Sequence, residues 1–186
     1  MPQSQGGDRS LLKTLIRRDA FQVGEFTLAS GQKSDYYIDG RRLTLSSDGA
    51  HVLARVILDL IEGEAIDAVG GMTLGADPII GAVLAVADAR GRRLNGFICR
   101  KERKDHGTGR RIEGNLHPGD AVLMVEDVVT TGGSTLRAIE AVEELGGRVV
   151  RIIAMVDRLA GAAEAFAERG YAFTPIFTVR DLGVGA

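Results

Sequence analysis

The chain has 186 residues, of which 45% are apolar and 26% charged, ordinary usage for a globular domain able to bury a continuous core. A net charge of −2 excludes a general nucleic-acid or acidic-membrane binder, and a single cysteine, Cys99, excludes an internal disulfide framework. With no signal-peptide pattern and no apolar run of spanning length, a cytoplasmic protein with no membrane partner is expected.

The first eight residues, polar and glycine-containing, are expected to be loose. Ser10 is placed to cap a short helix carrying Leu11, Leu12, Leu15 and Ile16 on one side. Residues 24–38 read as two short strands around a Ser-Gly turn. The spacing of Val52, Val56, Ile57, Leu60 and Ile61 predicts a helix over 47–62. Ala68, Val69, Gly70 and Gly71 read as a short strand running into a glycine turn. Asp77 and Pro78 then read as a helix start, with Asp as N-cap and Pro at the first helical position. Strands are expected at 95–100, 121–126, 149–156 and 173–178. The helices between them are expected at 134–145, stopping at Gly146 and Gly147, and at 160–169. The alternation predicts an α/β fold: a doubly wound, mainly parallel sheet with right-handed crossovers. One domain is expected over 1–186. Residues 1–45 would supply an N-terminal helix and a small flap over the carboxyl edge of the sheet, where ligands bind in such folds.

Two stretches carry chemistry. In the first, residues 122–135, the apolar run Val122 to Val125 ends abruptly in Glu126 and Asp127. Val128, Val129, Thr130, Thr131, Gly132, Gly133 and Ser134 follow, and then a helical pattern. The run is too apolar for a half-exposed strand, so a strand buried on both faces is expected. The two glycines tolerate positive φ and leave backbone N–H groups unobstructed, and the following helix adds its positive dipole end. That combination suits a phosphate. Adjacent carboxylates suit the hydroxyls of a sugar, so a sugar phosphate fits better than a bare anion. The alternative, a generic glycine turn, leaves the acid pair unexplained.

The second stretch, residues 100–111, holds six basic residues against two acids, a local charge of +4 that leaves about −6 for the rest of the chain. Gly107 and Gly109 make a poor helix and a good mobile loop, expected over 100–115. Such a loop could close over a leaving pyrophosphate, neutralise it and exclude water. A solvated, salt-bridged face is the alternative. Cys99, inside an apolar run, reads as a buried structural thiol.

The 122–135 stretch resembles the 5-phosphoribosyl-1-diphosphate (PRPP) motif of type I phosphoribosyltransferases. Further segments are similar to the orotate phosphoribosyltransferases. They are Phe26-Thr27-Leu28-Ala29-Ser30-Gly31, Ser34-Asp35-Tyr36-Tyr37, Arg100-Lys101 with Lys104, His106 and Gly107, Ile112-Glu113-Gly114, and Val156-Asp157-Arg158. The likeness runs from about residue 21 to the end of the chain. It implies transfer of the phosphoribosyl group of PRPP to a ring nitrogen of orotate, with Mg²⁺ bound mainly through PRPP and no dedicated metal ligands. It implies that Glu126 and Asp127 hold the ribose 2′- and 3′-hydroxyls. Val128, Val129, Thr130, Thr131, Gly132, Gly133 and Ser134 would cradle the 5′-phosphate, and Thr130 and Arg158 would contact orotate. Arg100, Lys101, Lys104 and His106 would bind PRPP in trans within a homodimer, with Lys101, Lys104 and Asp127 as the catalytic set. Tyr36 and Tyr37 are candidates for the base pocket or for packing within the flap.

Two positions depart from that pattern. Ala29 stands where some members have lysine, and residues 70–78 contain no basic residue. Backbone N–H groups near Leu74 to Ala76 are the expected substitute. A phosphoribosyltransferase for another base, and a PRPP-sensing regulator without chemistry, remain the competing readings.

Overall fold

The computed structural model describes residues 5–27, 31, 33–101 and 111–184. Its centre is a six-stranded sheet in the order β5-β4-β3-β6-β7-β8. These strands are β3 (Ala68–Met72), β4 (Asn95–Cys99), β5 (Ile112–Gly114), β6 (Ala121–Val129), β7 (Arg148–Asp157) and β8 (Phe173–Thr178). Every pairing is parallel except β4 with β5. The mainly parallel α/β architecture is the expected one. The antiparallel edge strand β5 was not anticipated, because three residues between polar stretches carry no periodicity to read.

Strand β6 shows why its apolar run is continuous. Leu123 and Val125 join one core cluster, with helices α3 (Ser47–Leu60) and α4 (Asp77–Ala89), while Val122 and Met124 join the other, with helix α5 (Gly133–Glu144). Successive side chains of a strand point to opposite faces, so a sheet covered on both sides needs apolar residues at every position.

Several local expectations change. Helix α1 (Gln5–Leu15) begins well before Ser10, so Ser10 is not its cap and residues 5–8 are helical. Asp8 is buried and paired to Arg55 at 2.8 Å, which ties α1 to α3. A π-helical turn (Ile16–Ala20) leads into a separate antiparallel hairpin of β1 (Phe21–Thr27) and β2 (Lys33–Ile38). The short helix α2 (Arg41–Thr44) follows, and Ser46 caps α3 by accepting from the Gly49 N–H at 3.2 Å.

Gly70 and Gly71 are not a turn. They lie inside β3, and a β-carbon on Gly70 would sit 2.2 Å from the Phe97 ring, one on Gly71 2.3 Å from the Val125 carbonyl oxygen. Asp77 is not the N-cap of α4. That position is Ala76, and the Asp77 carboxylate accepts from the Thr73 hydroxyl at 2.7 Å. Helix α6 (Ala162–Ala167) is shorter than the expected 160–169, and strands β6 and β7 run further than expected.

Chain order sets the site. After β3 the chain moves to β4 on one side, then returns to β6 on the other. The β3–β6 pairing stops at Gly70 and Met124, while β6 continues to Val129 beside β7. The carboxyl ends of β3 and β6 therefore part, at the point where parallel sheets open a crevice.

Candidate active site

That crevice is an open cleft of about 1230 Å³. The end of β6 and the turn after it form its floor, from Glu126 through Thr135. The loop Thr73, Leu74 and Gly75 closes one side, and Arg100 and Lys101 reach it from the end of β4. The exit of the hairpin, Tyr37 to Arg41, supplies the remaining wall.

The phosphate-cradle expectation can be followed atom by atom. Gly132 adopts φ +77° and stands as N-cap of α5 with no side-chain cap, so among the described residues no capping side chain takes the first-turn N–H groups of this helix. A helix opening of this kind presents several N–H donors and a positive dipole end to an anion. Gly132 is required twice over, since a β-carbon there would lie 2.8 Å from the buried Phe166 ring. Gly133 is already helical, and a β-carbon there would meet nothing nearer than the Thr131 hydroxyl at 3.8 Å.

The acid pair is half-buried, and both of its carboxyls are held above their ordinary range. Burial, then the neighbouring Asp127 charge, push the Glu126 carboxyl well above the ordinary glutamate range. Burial raises Asp127 as well, opposed by the Val128 N–H, by the hydrogen bond from Glu126 and by the Arg41 charge. Desolvation penalises the charged form, and two like charges cannot both ionise cheaply at this separation. The Thr135 hydroxyl donates to Glu126 at 3.1 Å and fixes its rotamer. Asp127 is held between two glycines: β-carbons on Gly40 and Gly75 would approach its carboxylate oxygens to 2.7 and 2.5 Å.

The structure thus brings Arg100, Lys101, Glu126, Asp127, Val128, Val129, Thr130, Thr131, Gly132, Gly133 and Ser134 to one cleft. Lys104, His106 and Ala29 lie outside the described residues. Arg158 is close by but does not line the cleft. Its N–H bonds the Val129 carbonyl at 3.0 Å, its Nε donates to the Tyr36 hydroxyl at 3.1 Å, and its guanidinium lies 4.9 Å from the Tyr36 ring centre. Tyr36 therefore packs, stacked on Phe21, whereas Tyr37 lines the cleft. Cys99 is fully buried, and burial pushes its thiol up to about 12, so it is no nucleophile. Of the 74–76 segment expected to offer backbone donors, Leu74 and Gly75 line the cleft; sequence reasoning missed Asp39, Gly40, Arg41 and Thr135. Thr135 directly follows the glycine turn and was within reach, but the others come from segments with no motif of their own.

The Phosphoribosyl transferase domain family model matches residues 50–168. An orotate phosphoribosyltransferase of Rhodopirellula baltica is 46% identical over 187 residues, covering 97% of each chain. The chain belongs to the orotate phosphoribosyltransferase family. A second member, from Thermosynechococcus vestitus, is 44% identical over 98% of this chain and 96% of its own. Among solved structures, the Mycobacterium tuberculosis orotate phosphoribosyltransferase in complex with PRPP is 39% identical, with a TM-score of 0.81 over 95% of this chain and 99% of that one. A phosphoribosyltransferase from Corynebacterium diphtheriae has a TM-score of 0.84 at 37% identity, covering 96% of this chain and 99% of its own.

Proposed function

We propose that this chain is an orotate phosphoribosyltransferase. It transfers the phosphoribosyl group of PRPP to orotate, giving orotidine 5′-monophosphate and pyrophosphate in pyrimidine biosynthesis. The observation carrying this reading is the conjunction, in one cleft, of the Glu126–Asp127 pair with the uncapped α5 opening. A sugar bearing a phosphate needs both: acceptors for hydroxyls and N–H donors for a phosphate, side by side.

On this reading Glu126 and Asp127 accept from the ribose hydroxyls, and the backbone from Thr130 to Ser134 takes the 5′-phosphate. The ring nitrogen of orotate bonds to C1′ and gives up its proton to solvent or to the departing pyrophosphate, while the C1′–O bond breaks and its electron pair leaves with pyrophosphate. The breaking bond has oxocarbenium character, so no protein nucleophile is required and the residues act by positioning and charge stabilisation. Lys101, with Lys104 and His106, stabilises the leaving group, and Arg100 joins them in binding PRPP. In the homodimer this loop serves the neighbouring subunit's site. Arg158 leaves Tyr36 to pair with the orotate carboxylate, a match to guanidinium geometry, with Thr130 beside it.

The residues present suit Mg²⁺ shared with the ligand. Two adjacent carboxylates face the cleft, while among the described residues no group of three or more His, Cys, Asp or Glu forms a closed cage. Mg²⁺ bound mainly through PRPP oxygens, with Asp127 as the available protein ligand, would supply further neutralisation of the pyrophosphate. Among the described residues no helix is long and apolar enough to cross a membrane.

The test is loss of orotate ultraviolet absorbance with purified protein, PRPP and Mg²⁺, with uracil, adenine and hypoxanthine as controls. PRPP-dependent consumption of orotate supports the assignment. Turnover of another base instead would overturn the base assignment, and binding of PRPP without turnover of any base would overturn catalysis.

A further inference from the structure

Arg41 opens α2 on the hairpin side of the cleft, where no motif in the sequence singled it out. Among the described residues lining the cleft, the cations are Arg41, Arg100 and Lys101. Arg100 and Lys101 belong to the basic loop at the end of β4. Arg41 belongs to a different element, and its place is set by two local constraints.

The first constraint is the packing of Gly40 on Asp127. No side chain fits between them, so the backbone immediately before Arg41 is pressed against the carboxylate that is read here as a ribose ligand. Arg41 and Asp127 line the same cleft. The second constraint is Asp39. Its carboxylate accepts from Arg41 Nε at 2.9 Å, from Nη2 at 3.3 Å and from the Arg41 backbone N–H at 3.2 Å. That uses one edge of the guanidinium and leaves Nη1 without a hydrogen-bond partner among the described residues. A guanidinium fixed on one edge and free on the other is arranged to offer donors to an anion without first losing its own conformational freedom.

We propose that Arg41 is a binding residue for the diphosphate group of PRPP. It would reach the leaving group from the hairpin side, on an element separate from the basic loop. The loop across Asp127 from Gly40, residues 73–75, carries no cation of its own, and its Thr73 N–H and hydroxyl are taken by the Cys99 carbonyl and Asp77, so Arg41 supplies positive charge to a part of the cleft that otherwise has none. The inference rests on the PRPP reading given above. Its rival is a local ion pair between Arg41 and Asp39 with no ligand role, which for an exposed pair would contribute little to stability.

The test compares wild type with Arg41→Gln and Arg41→Lys in the full chain. Calorimetric binding of inorganic pyrophosphate with Mg²⁺ is measured alongside KM for PRPP and for orotate. Loss of a charge-assisted hydrogen bond predicts that Arg41→Gln weakens pyrophosphate binding and raises KM for PRPP by about tenfold to a hundredfold. KM for orotate should stay within about twofold, and Arg41→Lys should recover part of the loss, since lysine keeps the charge but not the fork. Pyrophosphate affinity and KM for PRPP both unchanged in Arg41→Gln would overturn the proposal, as would a loss confined to orotate. Wild type that binds pyrophosphate but turns over no orotate would instead overturn the assigned reaction, leaving the Arg41 comparison to be decided by binding. Wild type that fails to bind pyrophosphate would overturn both.

Discussion

The two glycines at the opening of α5 are adjacent and chemically identical, yet they should respond to alanine in opposite ways. Gly132 holds φ +77°, a region that costs an L-residue about 1–2 kcal/mol. Its new methyl would also lie 2.8 Å from two carbons of the Phe166 ring, which is fully buried and packed edge-on against Phe173. Overpacking of that kind costs about 1–3 kcal/mol. Gly132→Ala should therefore lose roughly 2–5 kcal/mol, which for a chain of this size lowers Tm by roughly 4–20 °C. Gly133→Ala meets no steric contact closer than 3.8 Å and sits in helical backbone, so its Tm should hold or rise slightly. Its methyl would stand where the 5′-phosphate is proposed to approach, so KM for PRPP should rise although the fold is intact. Thermal unfolding of both variants, with KM for PRPP at a temperature where each is folded, separates the two effects. Equal Tm for Gly132→Ala and wild type would refute the reasoning from positive φ and Phe166.

Three further outcomes are expected. Because the folded Glu126 pKa is raised, the folded state binds more protons than the unfolded one, and stability should fall as pH rises above the ordinary glutamate value of 4.5. Glu126→Gln should flatten that slope in Tm measured from about pH 5 to about pH 8, and an unchanged slope would place its origin elsewhere. Lys101→Ala should lower kcat by about a hundredfold or more while KM for PRPP moves by less than about threefold. Unchanged turnover would remove Lys101 from the mechanism. Arg158→Ala should raise KM for orotate by about tenfold to a hundredfold with KM for PRPP little changed, and an equal loss for both substrates would contradict its assignment to the base.

The elements legible in the sequence were those whose signal is local. The apolar run ending in Glu126 and Asp127, then the glycine turn and the amphipathic start of α5, each reflect constraints from residues next to one another in the chain. Gly70 and Gly71 show the opposite case. Two glycines after a short apolar run read as a turn, but the Phe97 ring and the Val125 carbonyl, both on neighbouring strands, demand them inside β3. Asp77 was misread for a related reason. Its carboxylate was free to cap α4, and the Thr73 hydroxyl one turn earlier took it instead. Arg158 and Tyr36 are 122 positions apart, so their hydrogen bond was invisible before the hairpin was placed over the end of β7.

The same contrast explains why the acid pair rather than the glycine turn decides the chemistry. An uncapped helix opening attracts any anion, and many α/β proteins have one. Two carboxyls driven together and half-buried at the mouth of that opening would repel an anion, unless the ligand also brought donors to them. Burial raises both groups and the Asp127 charge raises Glu126 further, while the Thr135 hydroxyl on Glu126 and the Arg41 charge on Asp127 offset only part of that penalty. Such a site is under-supplied with donors where it is acidic and under-supplied with acceptors where it is basic. A ligand that corrects both must carry hydroxyls and phosphate within a few bonds of each other, with further negative charge to meet a basic loop. A phosphorylated ribose with a second, leaving phosphate group meets all three demands, and a bare phosphate, a dinucleotide fold's pyrophosphate or an unphosphorylated sugar meets at most two.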